Sequence, residues 1–243
     1  MMMHTNRGHK LSSEWSKIHL SKAKFDGKLC YYYQPAAKGV NIAAIFENPT
    51  HLEFLAKRPV VGETGVNLYR LLEYLKLLGF HIKYRYPDCL DKMRICIVNA
   101  TNVYGNVDGL SKVAKQHLIA SNYPALKCAV ENKSLILVFG ETADLASDLL
   151  KGKGLIEGSA IVIAVYHLSP RVFSGLNVEK INEYLDKNSK VLLKDCDNTK
   201  VSLGLKLIAS YIFKKYGELE LDEGESSRYA PFNEFVKFVK GIF

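Results

Sequence analysis

Four short apolar runs in the sequence each end in polar side chains of the kinds that bind, orient or polarise a substrate. Carboxylates and imidazoles exchange protons with substrates or water, whereas amides recognise them through hydrogen bonds. Neither a Gly-x-Ser-x-Gly turn nor a glycine-rich phosphate loop follows a run, so the sequence disfavours serine hydrolases and nucleotide hydrolases. The polar stretches are Glu47-Asn48-Pro49, Asn99, Glu141-Thr142 and His167-Leu168-Ser169-Pro170.

The apolar runs themselves predict parallel strands that are buried on both faces of a sheet. Each has strand length, is rich in β-branched residues and lacks alternation between apolar and polar positions. Ligands of open parallel sheets bind beyond the carboxyl ends of the strands, which is where the polar stretches fall. The runs are Val40–Phe46, Arg94–Val98, Leu135–Phe139 and Ala160–Tyr166.

Helical periodicity occupies the intervals between the runs. It predicts helices over Thr64–Leu78, Thr142–Leu150, Val178–Leu185 and Val201–Tyr216, with Thr142 as the cap of the second. Strands alternating with helices are typical of an α/β fold. We therefore expect three layers, α/β/α, around a central four-stranded parallel sheet.

The chain divides into three parts by composition. Residues 1–38 hold seven Lys or Arg against two acids and predict a packed basic extension, with a DNA-contacting arm as the alternative. The α/β domain is expected over 39–217. Residues 218–243 are expected to pack on the same domain: 218–225 carry five acids and predict a solvated loop, and 231–243 predict an amphipathic helix.

The overall composition is that of a soluble globular chain with excess positive charge. Of 243 residues, 48% are hydrophobic and 24% are charged, and the net charge is +8. This charge favours nucleic acid as a partner, then an anionic membrane surface, beside the plain alternative of a basic solvated surface. No apolar run is long enough to cross a bilayer, and the N-terminus lacks the apolar centre of a secretory signal. The five cysteines form no Cys-x-x-Cys pair, so we expect a reduced cytoplasmic setting without disulfides or zinc.

Three segments, in order along the chain, resemble motifs of the uracil-DNA glycosylase superfamily. Residues 45–78, IFENPTHLEFLAKRPVVGETGVNLYRLLEYLKLL, are similar to its Gly-x-Asn-Pro-Gly or Gly-Glu-Ala-Pro-Gly turn, its Gly-Arg-Pro-Phe-Val-Gly segment and its leucine-rich helix. Residues 96–105, CIVNATNVYG, resemble the central strand whose terminal Asn contacts the base. HLSPRVFSGLNVEKINEYL, from His167, resembles the closing His-Pro-Ser-Pro motif. The resemblance covers roughly residues 40–190.

The resemblance implies catalytic roles for three residues. A base is flipped out of DNA, and its N-glycosidic bond breaks with negative charge developing on the departing base. His167 would donate a hydrogen bond to that developing oxyanion. Asn48 would hold the attacking water, and Glu47 is the alternative as water activator.

Further residues are implied in substrate and DNA binding. Asn99 would pair with the edge of the base, and Asn102 replaces it if the alignment shifts. At the closing motif, Ser169 would contact a phosphate, beside Pro170. Arg171 would fill the vacated stack or hold the DNA backbone.

Four positions depart from the family pattern. Phe46 and Thr50 replace the two glycines that flank the turn, and Leu168 replaces the first proline of the closing motif. Val60 stands where the family has a phenylalanine that stacks on uracil, and a lost stacking contact is worth about 1–3 kcal/mol. The pocket is therefore wider than in the family unless Phe46 replaces the aromatic ring from the other side.

The expected function is that of a monomeric, monofunctional DNA glycosylase that leaves an abasic site and needs no cofactor or metal. No lysine is placed for a Schiff base, and the cysteine spacing does not fit the family's iron–sulfur branches. Uracil and a modified cytosine, such as glucosylated hydroxymethylcytosine of phage DNA, both remain candidate substrates, in repair or in antiphage defence. The alternative is a catalytically silent member that binds DNA or inhibits a partner.

Overall fold

A mostly parallel sheet organises the computed structural model, which describes residues 19–20, 32–33, 41–56, 59–60, 62–80, 95–104, 107, 109–188, 199–221 and 228–243. The strands are β1 (His19–Leu20), β2 (Tyr32–Tyr33), β3 (Ile42–Phe46), β4 (Ile95–Asn99), β5 (Val103–Tyr104), β6 (Leu135–Phe139), β7 (Ile161–Val165) and β8 (Tyr229–Ala230).

The main sheet has six strands in the order β2-β4-β3-β6-β7-β8. Five of them are parallel, and β2 runs antiparallel to β4 at one edge. The predicted α/β class and the four predicted strands are confirmed. The predicted strand count was wrong, because β2 and β8 have only two residues each and leave no periodic signal in the sequence. Strands β1 and β5 form a separate antiparallel pair. Apart from β1 and β2, the expected basic extension lies outside the described residues.

Helices connect the strands. All four helices predicted between strands are present, and three of them, α5, α7 and α8, are longer than predicted. Helix α8 continues to Leu221, so the first residues of the expected acidic loop are helical, and 222–227 lie outside the described residues. No described helix combines the length and the apolar character needed to cross a bilayer. The helices are α1 (His51–Ala56), α2 (Glu63–Leu77), α3 (Lys112–Ser121), α4 (Tyr123–Val130), α5 (Glu141–Gly152), α6 (Pro170–Phe173), α7 (Val178–Asn188), α8 (Lys200–Leu221) and α9 (Phe232–Ile242).

The sheet is buried on both sides, which explains why its strands lack alternation. In β3, Ile42, Ala44 and Phe46 point to one core, which we call the first face and which α2, α7, α8 and α9 cover. Ala43 and Ile45 point to the second face, which is covered by α4 and α5.

The strand order creates a crevice at one edge of the sheet. The chain passes from β3 to β4 on one side, then returns to β6 on the other side of β3. The connections therefore diverge between the carboxyl ends of β3 and β6, and ligands of open α/β sheets bind at such a switch point.

Candidate functional site

Side chains from four strands meet on the first face at this switch point. The Phe46 ring stacks on Phe139, with ring centroids 4.6 Å apart and planes 18° from parallel. The His167 ring meets Phe46 edge-on at 5.9 Å. Asn99 is the register partner of Phe46, and partners in parallel strands point to the same face. The structure thus brings together Phe46, Asn99 and His167, which the sequence analysis singled out, and adds Phe139, which it did not.

The Asn99 side chain is a buried amide without a partner. The residue is 0% exposed, and neither its Oδ1 nor its Nδ2 atom has a hydrogen bond within the described part of the chain. Its backbone is held in place, because Asn122 Nδ2 donates to the Asn99 carbonyl at 2.7 Å. An unpaired buried polar group costs about 1–3 kcal/mol, a cost that a ligand removes when it supplies the missing partners.

Two threonine hydroxyls at the same edge of the sheet are also buried without a hydrogen-bond partner among the described residues. Thr101 follows β4 and Thr142 lies in the first turn of α5, and both hydroxyls are buried. Among the described residues, six buried side-chain nitrogen or oxygen atoms lack a hydrogen-bond partner, and four of the six belong to Asn99, Thr101 and Thr142. Unsatisfied polarity is therefore concentrated at the switch point and is not spread through the core.

The loop after β7 fixes the tautomer of His167. The Ser169 backbone N–H donates to His167 Nδ1 at 3.1 Å, so the neutral ring carries its proton on Nε2. Asn67 of α2 donates through Nδ2 to the Leu168 carbonyl at 2.8 Å, in a buried contact. The Leu168 side chain is fully buried in the first-face core, which accounts for leucine at this position. The sequence analysis missed Asn67, whose signal is a polar residue beside the buried leucines of α2.

The Glu47 carboxylate lies at the N-terminus of α5. Its Oε1 accepts the Thr142 backbone N–H at 3.1 Å. Gly140 precedes the helix with φ +98°, and a Cβ atom there would come within 2.4 Å of the Glu47 carboxyl carbon. The prediction that the Thr142 side chain caps this helix was wrong: Gly140 is the cap residue, no side-chain cap bond comes from it, and Glu47 binds the helix from β3.

A buried carboxylate, Glu53, shapes the segment that follows β3. Thr50 and Glu53 form a reciprocal capping box at α1: Thr50 N–H donates to Glu53 Oε2 at 2.7 Å, and Glu53 N–H donates to Thr50 Oγ1 at 3.3 Å. This pairing accounts for Thr50 where the family pattern has glycine. Glu53 Oε1 also accepts the Val60 N–H at 2.5 Å.

Val60 has a strained backbone and a buried side chain. Its φ of 57° lies in the left-handed region, which β-branched residues rarely adopt. Strain of this kind persists where the surroundings impose it, here through the Glu53 carboxylate. The side chain is 3% exposed and belongs to the same first-face core as Phe46.

The other predicted site residues lie around this centre. Asn48 is half-buried in the turn after β3, and Asn102 is half-buried beyond β4. Ser169 and Pro170, both half-buried, are the cap and the first residue of α6, and Arg171 is exposed. Ser169 therefore has a positioning contact with His167 through its backbone, beside the phosphate contact expected from the sequence.

The site is closed in this structure. Asn99 has no exposed surface and Phe46 is 2% exposed, so a ligand would reach Asn99 only after neighbouring side chains move. Two cavities, of about 620 Å³ and about 430 Å³, lie elsewhere, the first between α3, α5 and α9 and the second between α7, α8 and α9. Within the described residues, no three His, Cys, Asp or Glu side chains come together to hold a metal ion.

No protein-family model matches the chain, and no curated protein matches it.

Proposed function

We propose that this protein is a monofunctional DNA glycosylase that removes a pyrimidine-type base, either uracil or a modified cytosine. The observation that carries the proposal is the buried Asn99 amide, whose donor and acceptor lack partners among the described residues, beside a stacked aromatic pair and His167. The resemblance of residues 40–190 to the uracil-DNA glycosylase superfamily supports the same reading.

The Asn99 amide complements the edge of a pyrimidine. Such an edge offers one donor next to one acceptor, and an amide offers the matching acceptor and donor. Uracil and cytosine present these groups in opposite order. No hydrogen bond from another described residue fixes the Asn99 side chain. A rotation of the amide group by half a turn exchanges its donor and acceptor, so Asn99 can pair with either base. Both substrates therefore remain part of the proposal.

His167 supplies the electrophilic contact. With Nδ1 accepting the Ser169 N–H, the neutral ring carries its proton on Nε2, and that N–H would donate to the carbonyl oxygen of the base as negative charge develops there. Water attacks the sugar carbon as the bond to the base breaks, and the base leaves as an anion that then takes up a proton. We assign the positioning of this water to Asn48, because one oxygen of Glu47 is already engaged with α5.

The segment after His167 is suited to contact the DNA backbone. Ser169 and Pro170 begin α6, and exposed Arg171 follows, so a cation lies close in sequence to the residue that would contact the base. Arginine binds phosphate through paired hydrogen bonds, and such contacts fix the register of a protein on DNA.

A second candidate function is DNA binding without catalysis. It is favoured by Phe46, which replaces a glycine of the family pattern and whose ring closes the site. If the protein is a glycosylase, Phe46 moves aside when a base enters, and the base takes its place in the stack on Phe139. If the protein is a catalytically silent DNA-binding protein, Phe46 stays in place.

The two readings separate in an alkali-cleavage assay on labelled DNA. The substrates are uracil-containing DNA and phage DNA with unmodified, hydroxymethylated or glucosylated cytosine. We expect strand cleavage on uracil or on a modified cytosine, and its loss in His167→Ala and Asn48→Ala. Binding of all these DNAs without cleavage of any would reject the glycosylase and favour the silent protein, whose binding would weaken as salt increases.

A further inference from the structure

A cavity of about 620 Å³ lies away from the switch point, at the rim of the second face between α3, α5 and the start of α9. This volume is in the range of pockets that hold small molecules. Lysines from α3 form one wall, carboxylates from α5 form the other, and the side chains of Leu145 and Phe232 contribute apolar surface.

Of the three carboxylates in this wall, Asp144 stabilises the fold, whereas Glu141 and Asp148 can contact a ligand. Glu141, Asp144 and Asp148 are three or four residues apart and share one side of α5. Tyr229 Oη donates to Asp144 at 2.5 Å, and the Phe232 N–H donates to it as well, which ties β8 and α9 to α5. Burial raises the pKa of Asp144. Glu141 and Asp148 are exposed and form no hydrogen bond or ion pair with other described residues.

The lysine wall contains a lysine whose side chain has no partner among the described residues. Lys115 lines the cavity, is only 9% exposed, and forms no side-chain hydrogen bond or ion pair in the described part of the chain. An ammonium group that lines a cavity without an ion-pair partner attracts an anionic ligand. Lys112, three residues earlier on the same helix, lines the cavity too and places a second positive charge beside the first.

We propose that this cavity binds a small phosphorylated molecule with hydroxyl groups, of the mononucleotide class. A phosphate is compact enough to contact both Lys112 and Lys115 and carries enough charge to match them. Glu141 and Asp148 accept hydrogen bonds from sugar hydroxyls, as acidic residues do in other nucleotide sites. The ring of Phe232, which is half-buried, offers a face to the base.

The opposite charges of the two walls also argue against a nucleic-acid strand as the ligand. A polyanionic strand would meet the carboxylates of α5, which repel it, so the cavity is not an extension of a DNA-binding surface. The inference is independent of the proposed glycosylase activity, because no residue of this cavity belongs to the site at the switch point.

Titration calorimetry of the full chain with AMP, adenosine and inorganic phosphate tests the proposal. We expect AMP to bind with a Kd between about 10 μM and 1 mM. Adenosine lacks the phosphate and should bind at least about tenfold more weakly, and phosphate alone should also bind more weakly than AMP.

Variants show whether binding occurs in this cavity. Lys115→Met should weaken AMP binding about tenfold, because it removes one of the two cations that would contact the phosphate but keeps an apolar side chain of similar length. Lys127→Met, at an exposed lysine of α4 outside the cavity, is the matched control and should bind AMP like the wild type. The proposal is overturned if AMP gives no binding, if Lys115→Met binds AMP unchanged, or if phosphate alone binds as tightly as AMP.

Discussion

The rings of Phe46 and Phe139 stack 4.6 Å apart at the carboxyl ends of two neighbouring parallel strands. The two residues lie on either side of the topological switch point, where the connections that leave β3 and β6 run towards opposite edges of the sheet. A base that entered beside Asn99 would need an aromatic face to stack on and space to occupy. In the proposed reaction Phe139 would provide the face, and Phe46, whose ring now covers that face, would have to move away from it.

Substitution of the two phenylalanines should therefore change activity in opposite directions. Each is fully or almost fully buried, so replacement by alanine should destabilise the fold by a similar amount, about 3–5 kcal/mol. Phe46→Ala should open the site and raise the rate of base excision. Phe139→Ala should remove the stacking face and lower it.

Single-turnover rates at a temperature where both variants are folded provide the measurement, with circular dichroism to verify the fold. Equal losses of activity in the two variants would contradict the gating role of Phe46 and would make it a stacking residue in its own right.

Asn99 should show a conflict between stability and activity. In Asn99→Leu, two unsatisfied polar groups disappear from the core, so the free energy of unfolding should stay level or rise by about 1–2 kcal/mol. Base excision should fall by a factor of about 100 or more, because the base loses both hydrogen bonds.

The matched control is Asn122→Leu. Asn122 is also a buried amide, but it donates a hydrogen bond to the Asn99 backbone carbonyl. It should lower stability, as measured by denaturant unfolding. A strongly destabilised Asn99→Leu with normal activity would show that Asn99 has a structural role only.

Glycine at position 140 should be required for the contact between β3 and α5. Gly140→Ala places a Cβ atom within 2.4 Å of the Glu47 carboxyl carbon, which displaces Glu47 from the Thr142 N–H. Gly79 also has a positive φ, +74°, but a Cβ atom there would meet no described atom within 4 Å. The loss of stability in Gly79→Ala therefore measures the backbone strain alone. We expect Gly140→Ala to lose about 1–2 kcal/mol more than Gly79→Ala in thermal or denaturant unfolding. Equal losses would show that the Glu47 contact contributes nothing.

Glu53 should be needed for the conformation of Val60. In Glu53→Gln, an amide NH₂ group would face one of the two backbone N–H donors that the carboxylate now accepts, so a buried hydrogen bond is lost. We expect a loss of about 1–3 kcal/mol in the free energy of unfolding. Glu157→Gln, at an exposed glutamate, is the control and should change it by less than about 0.5 kcal/mol. A loss no larger than that of the control would mean that Val60 holds its backbone conformation without Glu53.

The sequence was sufficient to predict the centre of the fold and the edge where the candidate site lies. Continuous apolar runs identify β3, β4, β6 and β7, because strands buried on both faces need apolar residues at every position. The residues that follow these strands must then lie at one edge of the sheet. That reasoning placed Asn99 and His167 correctly at the ends of their strands, although their chemical roles remain predictions.

The features that the sequence did not reveal depend on contacts between distant segments. Glu47 binds α5 across 95 residues, and Asn67 supports the loop after His167 across 101 residues. The Glu47 contact leaves no local pattern, and Asn67 shows only as a polar residue beside the buried leucines of α2. Helix α1 did have a local signal, the Thr-x-x-Glu pattern of a capping box at Thr50, but the surrounding motif was interpreted as an irregular turn. The stacking of Phe139 follows only from the strand order.

The measurement that tests the central claim most directly is the release of free base from DNA, detected by mass spectrometry. Only a glycosylase yields a free base and an abasic site in equal amounts from an intact strand. We predict that the wild type releases uracil or a modified cytosine from the DNA that contains it. His167→Ala should bind the same DNA but release base more slowly by a factor of about 100 or more. No released base from any of these DNAs, or equal release by His167→Ala, would contradict the account.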